Sequence, residues 1–303
     1  MSLPMNSGVE AVETAIKLAR KWAYLVKGVP RYEAEIITAE GNFHGRTTTA
    51  ISFSTEPNYR EDFGPFTPGF ISVTYGDAGA IERAINPNTA AVMIEPIQGE
   101  GGVIIPPPGY LKRVSEICAR ENVLFIADEI QTGLGRTGRL FACQHENVRP
   151  DITIIGKALS GGFLPISAVL ADRALLGLFK PGEHGSTFGG NPLSAAVART
   201  ALQVIVDENM IENAAVQGEY FIEQLAEIPG PHIKEVRGKG LLIGIELKKE
   251  AGGARRFCEA MQNRSILAKE THQDVIRLAP PLIISRQIID WALPIVRDVL
   301  NMK

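Results

Sequence analysis

Apolar residues recur along this chain with two distinct periods. From Val9 to about Tyr24, residues Val12, Ala15, Ile16, Ala19 and Ala23 fall three and four positions apart, which predicts an amphipathic helix. The spacing then gives way to short unbroken apolar runs at Ala90–Ile94, Val123–Ala127 and Ile152–Ile155, each bounded by polar residues, Gly or Pro. A helical pattern over Tyr110–Glu121 precedes the second run. Strands that are apolar throughout, rather than alternating, belong to a parallel sheet covered on both faces. Their interleaving with helices predicts an α/β, doubly wound architecture.

The last third carries a different pattern. Helical stretches over Pro192–Glu208 and Met210–Ala226 lead to a strand-like segment, Val236–Leu247. A helix near Ala254–Arg264, a strand at Val275–Leu278 and a final helix from Ser285 follow. The pattern predicts a large α/β domain over 1–208 and a smaller α+β domain over 209–303. No internal repeat or low-complexity segment interrupts either part.

Composition sharpens this picture by exclusion. The 303 residues are 45% hydrophobic and 21% charged, an ordinary globular balance. A formal charge of −3 argues against a nucleic-acid partner, which calls for a basic excess. No apolar run approaches the roughly 18 residues of a membrane span, and the first residues lack the basic start and apolar core of a signal peptide. Cys118, Cys143 and Cys258 are few, odd in number and far apart, which fits reduced thiols in a cytoplasmic protein. The histidines show no metal-ligand spacing, so no protein metal site is expected.

Ligands of parallel α/β sheets gather beyond the carboxyl ends of the strands. Here each apolar run delivers polar residues to that end. The first leads into Glu95-Pro96-Ile97-Gln98-Gly99-Glu100, the second into Asp128-Glu129-Ile130-Gln131, and the third into Gly156-Lys157-Ala158-Leu159-Ser160-Gly161-Gly162. A lysine there is most often solvated, and an aspartate at a strand end is often a helix cap. Together, at successive strand ends, they match a different need. A pyridoxal phosphate (PLP) enzyme requires a lysine to form a Schiff base and an acid to hold the pyridine nitrogen's proton. The phosphate requires a helix N-terminus or a comparable turn. Ser7-Gly8-Val9 and Gly185-Ser186-Thr187-Phe188-Gly189-Gly190 both qualify, although Ser7-x-x-Glu10 equally reads as a capping box. Arg46 and Arg277 stand in turn-like settings where a guanidinium could grip a carboxylate, and on spacing alone both remain ordinary surface charges.

With these segments assembled, the chain resembles the class III, fold-type I PLP-dependent aminotransferases over essentially its whole length. The motifs FIADEIQTGLGRTG, IIGKALSGG, GEHGSTFGGNP and IEPIQGEGGV stand in the family's order. The resemblance implies a mostly parallel sheet flanked by helices, a smaller C-terminal α+β domain and a homodimer with shared active sites. It implies that Lys157 bonds to the cofactor, Asp128 pairs with its ring nitrogen, Gln131 reaches its phenolic oxygen and Phe43 stacks on its ring. Ser7, Gly8 and Val9 would hold the phosphate, while Ser186 and Thr187 would reach a phosphate in the neighbouring subunit. Arg46 would bind the amino acid's carboxylate and Arg277 the dicarboxylate co-substrate, with Glu100 pairing to Arg277 as a switch and Glu95 supporting the site. His44 receives no role from the resemblance, and a packed loop histidine is the expectation.

Within the family, LPMNSGVEAVETAIKLARKWAY and IRLAPPLII look more like members that transfer the terminal amine of ornithine to 2-oxoglutarate than like those acting on acetylornithine or 4-aminobutyrate. Acetylornithine or 4-aminobutyrate as substrate, and a PLP-binding chain without catalysis, are the alternatives. The last arises because family members carry a further portion ahead of LPMNSG, so this chain is expected to start inside the fold. A nucleotide-binding dehydrogenase fits the α/β pattern but lacks a G-x-G-x-x-G turn between strand and helix.

Overall fold

The computed structural model describes residues 1–302. Its packing divides the chain into two compact units that are discontinuous in sequence. One comprises Met1–Pro96, Pro106–Gly133 and Cys143–Val204. The other comprises Ile97–Ile105, Leu134–Ala142 and the residues from Ile205 onward, so it takes two short segments from within 1–208.

The first unit is built on seven strands: β1 (Ser2–Met5), β2 (Glu35–Ala39), β3 (Phe70–Val73), β4 (Thr89–Ile94), β5 (Leu124–Asp128), β6 (Ile152–Ile155) and β7 (Ser167–Ala171). Their order across the sheet is β1-β7-β6-β5-β4-β2-β3. Every pair from β6 to β3 is parallel, and β7 runs antiparallel to both its neighbours. The sheet is therefore mostly parallel, as its unbroken apolar strands require. All six residues of β4 and all five of β5 are buried.

Alternate residues of one strand serve opposite cores. Ala91, Met93 and Ile126 pack with the helix α1 (Gly8–Trp22) on one face. Val92, Ile94 and Phe125 pack with the helix Tyr110–Arg120 on the other. That two-sided cover is the physical cause of the unbroken runs in the sequence. Helix α1 ends close to its predicted limit, in a single π turn over Ala23–Lys27 that Gly28 closes at φ +86°.

The second unit has an antiparallel sheet in the order β10-β11-β9-β8, from β8 (Ile233–Lys239), β9 (Leu242–Leu247), β10 (Lys269–Thr271) and β11 (Val275–Leu278). The single strand predicted over Val236–Leu247 is thus a hairpin. Gly240 turns the chain at φ +54°, where a Cβ would sit 2.4 Å from the carbonyl carbon of Thr137. Only a glycine admits both the conformation and the contact. Gly218, in the helix Met210–Ala226, is equally constrained: a Cβ there would lie 2.2 Å from the carbonyl carbon of Gly240.

Candidate active site

The carboxyl ends of β5 and β6 bring the first two candidates to one place. Asp128 closes β5 opposite Ile154, and its side chain is buried. Lys157 follows β6 after one extended glycine, at φ +42°, and opens a short 3₁₀ turn over Lys157–Ser160. A left-handed backbone is uncommon for a residue with a side chain and recurs at functional sites. Asp128 and Lys157 both line a cavity of about 210 Å³, whose walls also include Phe43, Glu95 and Gln131. Five of the residues singled out in the sequence thus meet around one space. Glu95 is buried and accepts the Phe43 N–H at 3.0 Å, which ties the Gly41–Arg46 loop to the end of β4.

Helix α1 presents its N-terminus to the same space. Gly8 and Val9 line the cavity, and Gly8 with Lys157 also lines a neighbouring one of about 340 Å³ that includes Ser7 and Ser160. A Cβ on Gly8 would come within 3.0 Å of Ile130 Cδ1, and one on Gly45 within 2.3 Å of Val9 Cγ2. Two glycines therefore let the helix start, the Asp128–Ile130 turn and the Gly41–Arg46 loop close on one another. The first N–H groups of a helix have no partner within it and face whatever lies ahead. The capping box also forms: Glu10 Oε2 accepts the Ser7 N–H at 2.6 Å, and Ser7 Oγ accepts the Glu10 N–H at 3.4 Å. The two readings of Ser7 are compatible, because the cap leaves the Gly8 and Val9 amides at the cavity.

His44, set aside in the sequence, belongs to this site. Its Nδ1 lies 2.7 Å from Asp128 Oδ2, and the imidazole side chain is fully buried. The other Asp128 oxygen, Oδ1, accepts the Ile130 N–H at 3.0 Å. Burial alone pulls an imidazole's pKa down, but the Asp128 hydrogen bond and the carboxylates of Asp128 and Glu95 outweigh it, so His44 holds its proton more tightly than a free histidine. Nε2 is buried without a partner. No local signal marks this role, since Asp128 lies 84 positions away in sequence.

The remaining candidates have surroundings of their own. Arg46 is exposed, its guanidinium 4.4 Å above the Tyr59 ring and 5.5 Å from that of Phe43. Ser186 Oγ accepts from Asn6 Nδ2 at 2.9 Å and from the Gly189 N–H at 3.1 Å, while Thr187 is exposed. In the second unit, Glu100 and Arg277 pair directly, Oε1 to Nη1 at 2.5 Å. Burial pushes the thiols of Cys118 and Cys258 up to about 12 and about 11, and that of Cys143 well above its ordinary value, so none supplies a thiolate nucleophile.

Comparison with known proteins bears on this arrangement. The family model for class-III aminotransferases matches residues 1–300. The chain belongs to the class-III aminotransferases. Among the members of this family, the ornithine aminotransferase of Bordetella pertussis (strain Tohama I) is 56% identical over 290 residues, which span 96% of this chain and 70% of that protein. An ornithine aminotransferase structure from Toxoplasma gondii, with PLP at partial occupancy in its active site, superposes with a TM-score of 0.97. It is 48% identical and covers 99% of this chain and 72% of its own. The acetylornithine aminotransferase of Elizabethkingia anophelis is 50% identical at a TM-score of 0.89, over 99% of this chain and 75% of its own. Class-III aminotransferases use PLP, and the residues of this one fit it. A buried carboxylate, an amine and a helix N-terminus that a Cβ on Gly8 would crowd converge on one cavity. Among the described residues, no group of acidic, histidine and cysteine side chains could hold a metal ion.

Proposed function

We propose that this aminotransferase moves the terminal amine of L-ornithine to 2-oxoglutarate, giving glutamate 5-semialdehyde and glutamate. The observation that carries the reading is the 56% identity, over nearly the whole chain, to relatives named for ornithine. PLP, when bound, supplies an electrophilic carbonyl and a ring that accepts an electron pair from carbon. Lys157 Nζ would hold that carbonyl. The Lys157 amine would also take the proton from the substrate's amine-bearing carbon and return it, as general base and acid. Asp128 would keep the ring nitrogen protonated, with His44 bonded to its other side. Gln131 would hydrogen-bond the phenolic oxygen, Phe43 would lie against the ring, and Ser7, Gly8 and Val9 would hold the phosphate.

Arg46 binds the amino acid's carboxylate, in a grip that two parallel hydrogen bonds make directional. Arg277 takes the distal carboxylate of 2-oxoglutarate, and Glu100 neutralises it when ornithine is bound. Glu95 supports this set by holding the Phe43 loop. Ser186 and Thr187 would reach the phosphate of a neighbouring subunit in a homodimer. The same reading takes the protein as cytoplasmic; among the described residues no helix is long and apolar enough to cross a membrane.

Half-reactions test the assignment. The protein loaded with PLP should be yellow, and Lys157→Ala should abolish that covalently derived colour. Ornithine should discharge it faster than acetylornithine or 4-aminobutyrate. Faster discharge by acetylornithine would favour the second reading, which the 50% identity to an acetylornithine enzyme supports. No discharge by any of the three would leave a PLP-binding chain without catalysis.

A further inference from the structure

The loop that carries Glu100 is gripped from below by a single rung of the second unit's sheet. Gly244 in β9 pairs across to Arg237 in β8 on one side and to Arg277 in β11 on the other. Residues paired directly across a sheet point to the same face, so two arginines flank a glycine there. A Cβ on Gly244 would lie 2.9 Å from Val103 Cβ. The missing side chain is therefore the seat of Val103, which is fully buried.

Both arginines hold the loop, by different atoms. Arg277 pairs with the Glu100 carboxylate. Arg237 donates from Nη2 to the Gly102 carbonyl at 2.7 Å and from Nε to the Val103 carbonyl at 2.9 Å. Its Nη1 is neutralised by Glu235 at 2.8 Å and by Glu246. Thr271 Oγ1 donates to the Glu100 carbonyl at 2.5 Å. Val103 in the backbone so held stands at φ +51°, a left-handed conformation that a β-branched residue rarely adopts. Such conformations persist where their surroundings over-determine them.

We propose that Arg237 is a positioning residue for specificity, which fixes the backbone of the Glu100 loop so that Glu100 meets or leaves Arg277 by side-chain rotation alone. The inference rests on the reading of Arg277 as the dicarboxylate site and Glu100 as its switch. Arg237 touches no substrate. It keeps the carboxylate at the distance where pairing with Arg277 competes with an incoming dicarboxylate. Lysine cannot replace it, since two carbonyls and two carboxylates are met by one planar fork.

Glutarate, a dicarboxylate with no group that can react, serves as the probe on the PLP-loaded protein, with binding read by calorimetry. Glu100→Ala should tighten glutarate binding, because the competing carboxylate is gone. Arg237→Met should tighten it in the same direction, by about fivefold, a coupling ordinary for residues in one network. In the double variant Arg237→Met should add nothing to Glu100→Ala. Steady-state rates should follow: the KM for 2-oxoglutarate falls in Arg237→Met while kcat at saturation holds. If Glu100→Ala leaves glutarate binding unchanged, the switch reading beneath the inference fails. If Glu100→Ala tightens binding and Arg237→Met does not, or if the two effects simply add, the role of Arg237 is overturned. Should Arg237→Met fail to fold, Arg237→Lys and Thr271→Val carry the same test, and wild-type affinity in both refutes the inference.

Discussion

His44 owes its chemistry to a neighbour that only the fold supplies. Its proton is held by Asp128 Oδ2 at 2.7 Å, and its folded pKa lies above the ordinary 6.5 despite complete burial. A group whose folded pKa is raised stabilises the folded state fully below its unfolded pKa, and loses that contribution as pH rises through the folded value. Replacing His44 by Phe keeps a ring of similar volume and deletes the hydrogen bond. The variant should therefore trail the wild type most below about pH 6 and least in the alkaline range, above the raised pKa. Denaturant midpoints measured across that range check this, and a gap independent of pH would refute the assigned protonation. The variant leaves Asp128 without its buried partner, a change that generally costs about 1–3 kcal/mol.

Helix α1 is the element on which structure and site depend together. Its N-terminus is closed by the Ser7–Glu10 capping box, and burial of Glu10 is outweighed by hydrogen bonds from Ser7 and Asn6 that lower its pKa below 4.5. A lowered carboxylate contributes stability above its unfolded pKa and loses it as pH falls through the folded value. Ser7→Ala should cost about 1 kcal/mol of stability, as loss of a cap does. It should also weaken PLP retention, because the frayed turn no longer aims the Gly8 and Val9 amides. Chemical denaturation of the apo protein separates the first effect from cofactor dialysis, which reads the second. A variant that loses stability but retains PLP would reduce Ser7 to a cap alone.

At the scale of the whole molecule, the chain leaves the first unit and returns to it more than once. Residues 97–105 and 134–142 belong to the second unit although the sequence surrounding them builds the first. Val103 from the earlier segment fills the space over Gly244, and Gly138 from the later one approaches Ala215 so closely that a Cβ would sit 2.8 Å from its Cα. A fragment of residues 205–303 would keep all four strands of its sheet and lose both covers. It is expected to lack a cooperative thermal transition, monitored by circular dichroism. Addition of peptides spanning 97–105 and 134–142 should restore part of it. A sharp transition in the fragment alone would show that the two segments do not complete this core.

Much of the first unit was legible because its strands are buried on both faces, which forces unbroken apolar runs such as Ala90–Ile94 and Val123–Ala127. The ends of those runs mark Glu95, Asp128 and Lys157 in the sequence itself, since parallel strands present their carboxyl ends to one edge. Short strands such as β1 and β3 gave no comparable signal; their identity comes from the partners they pair with. His44 is invisible for the same reason, as its partner is remote in sequence. So is the Arg237–Gly244–Arg277 rung, whose members are contiguous only across strands. Sequence alone determined which residues could do the chemistry, because periodicity and local motifs are written along the chain. Only the tertiary structure decided which of them are held by what, because hydrogen bonds and close approaches are made between segments far apart along it.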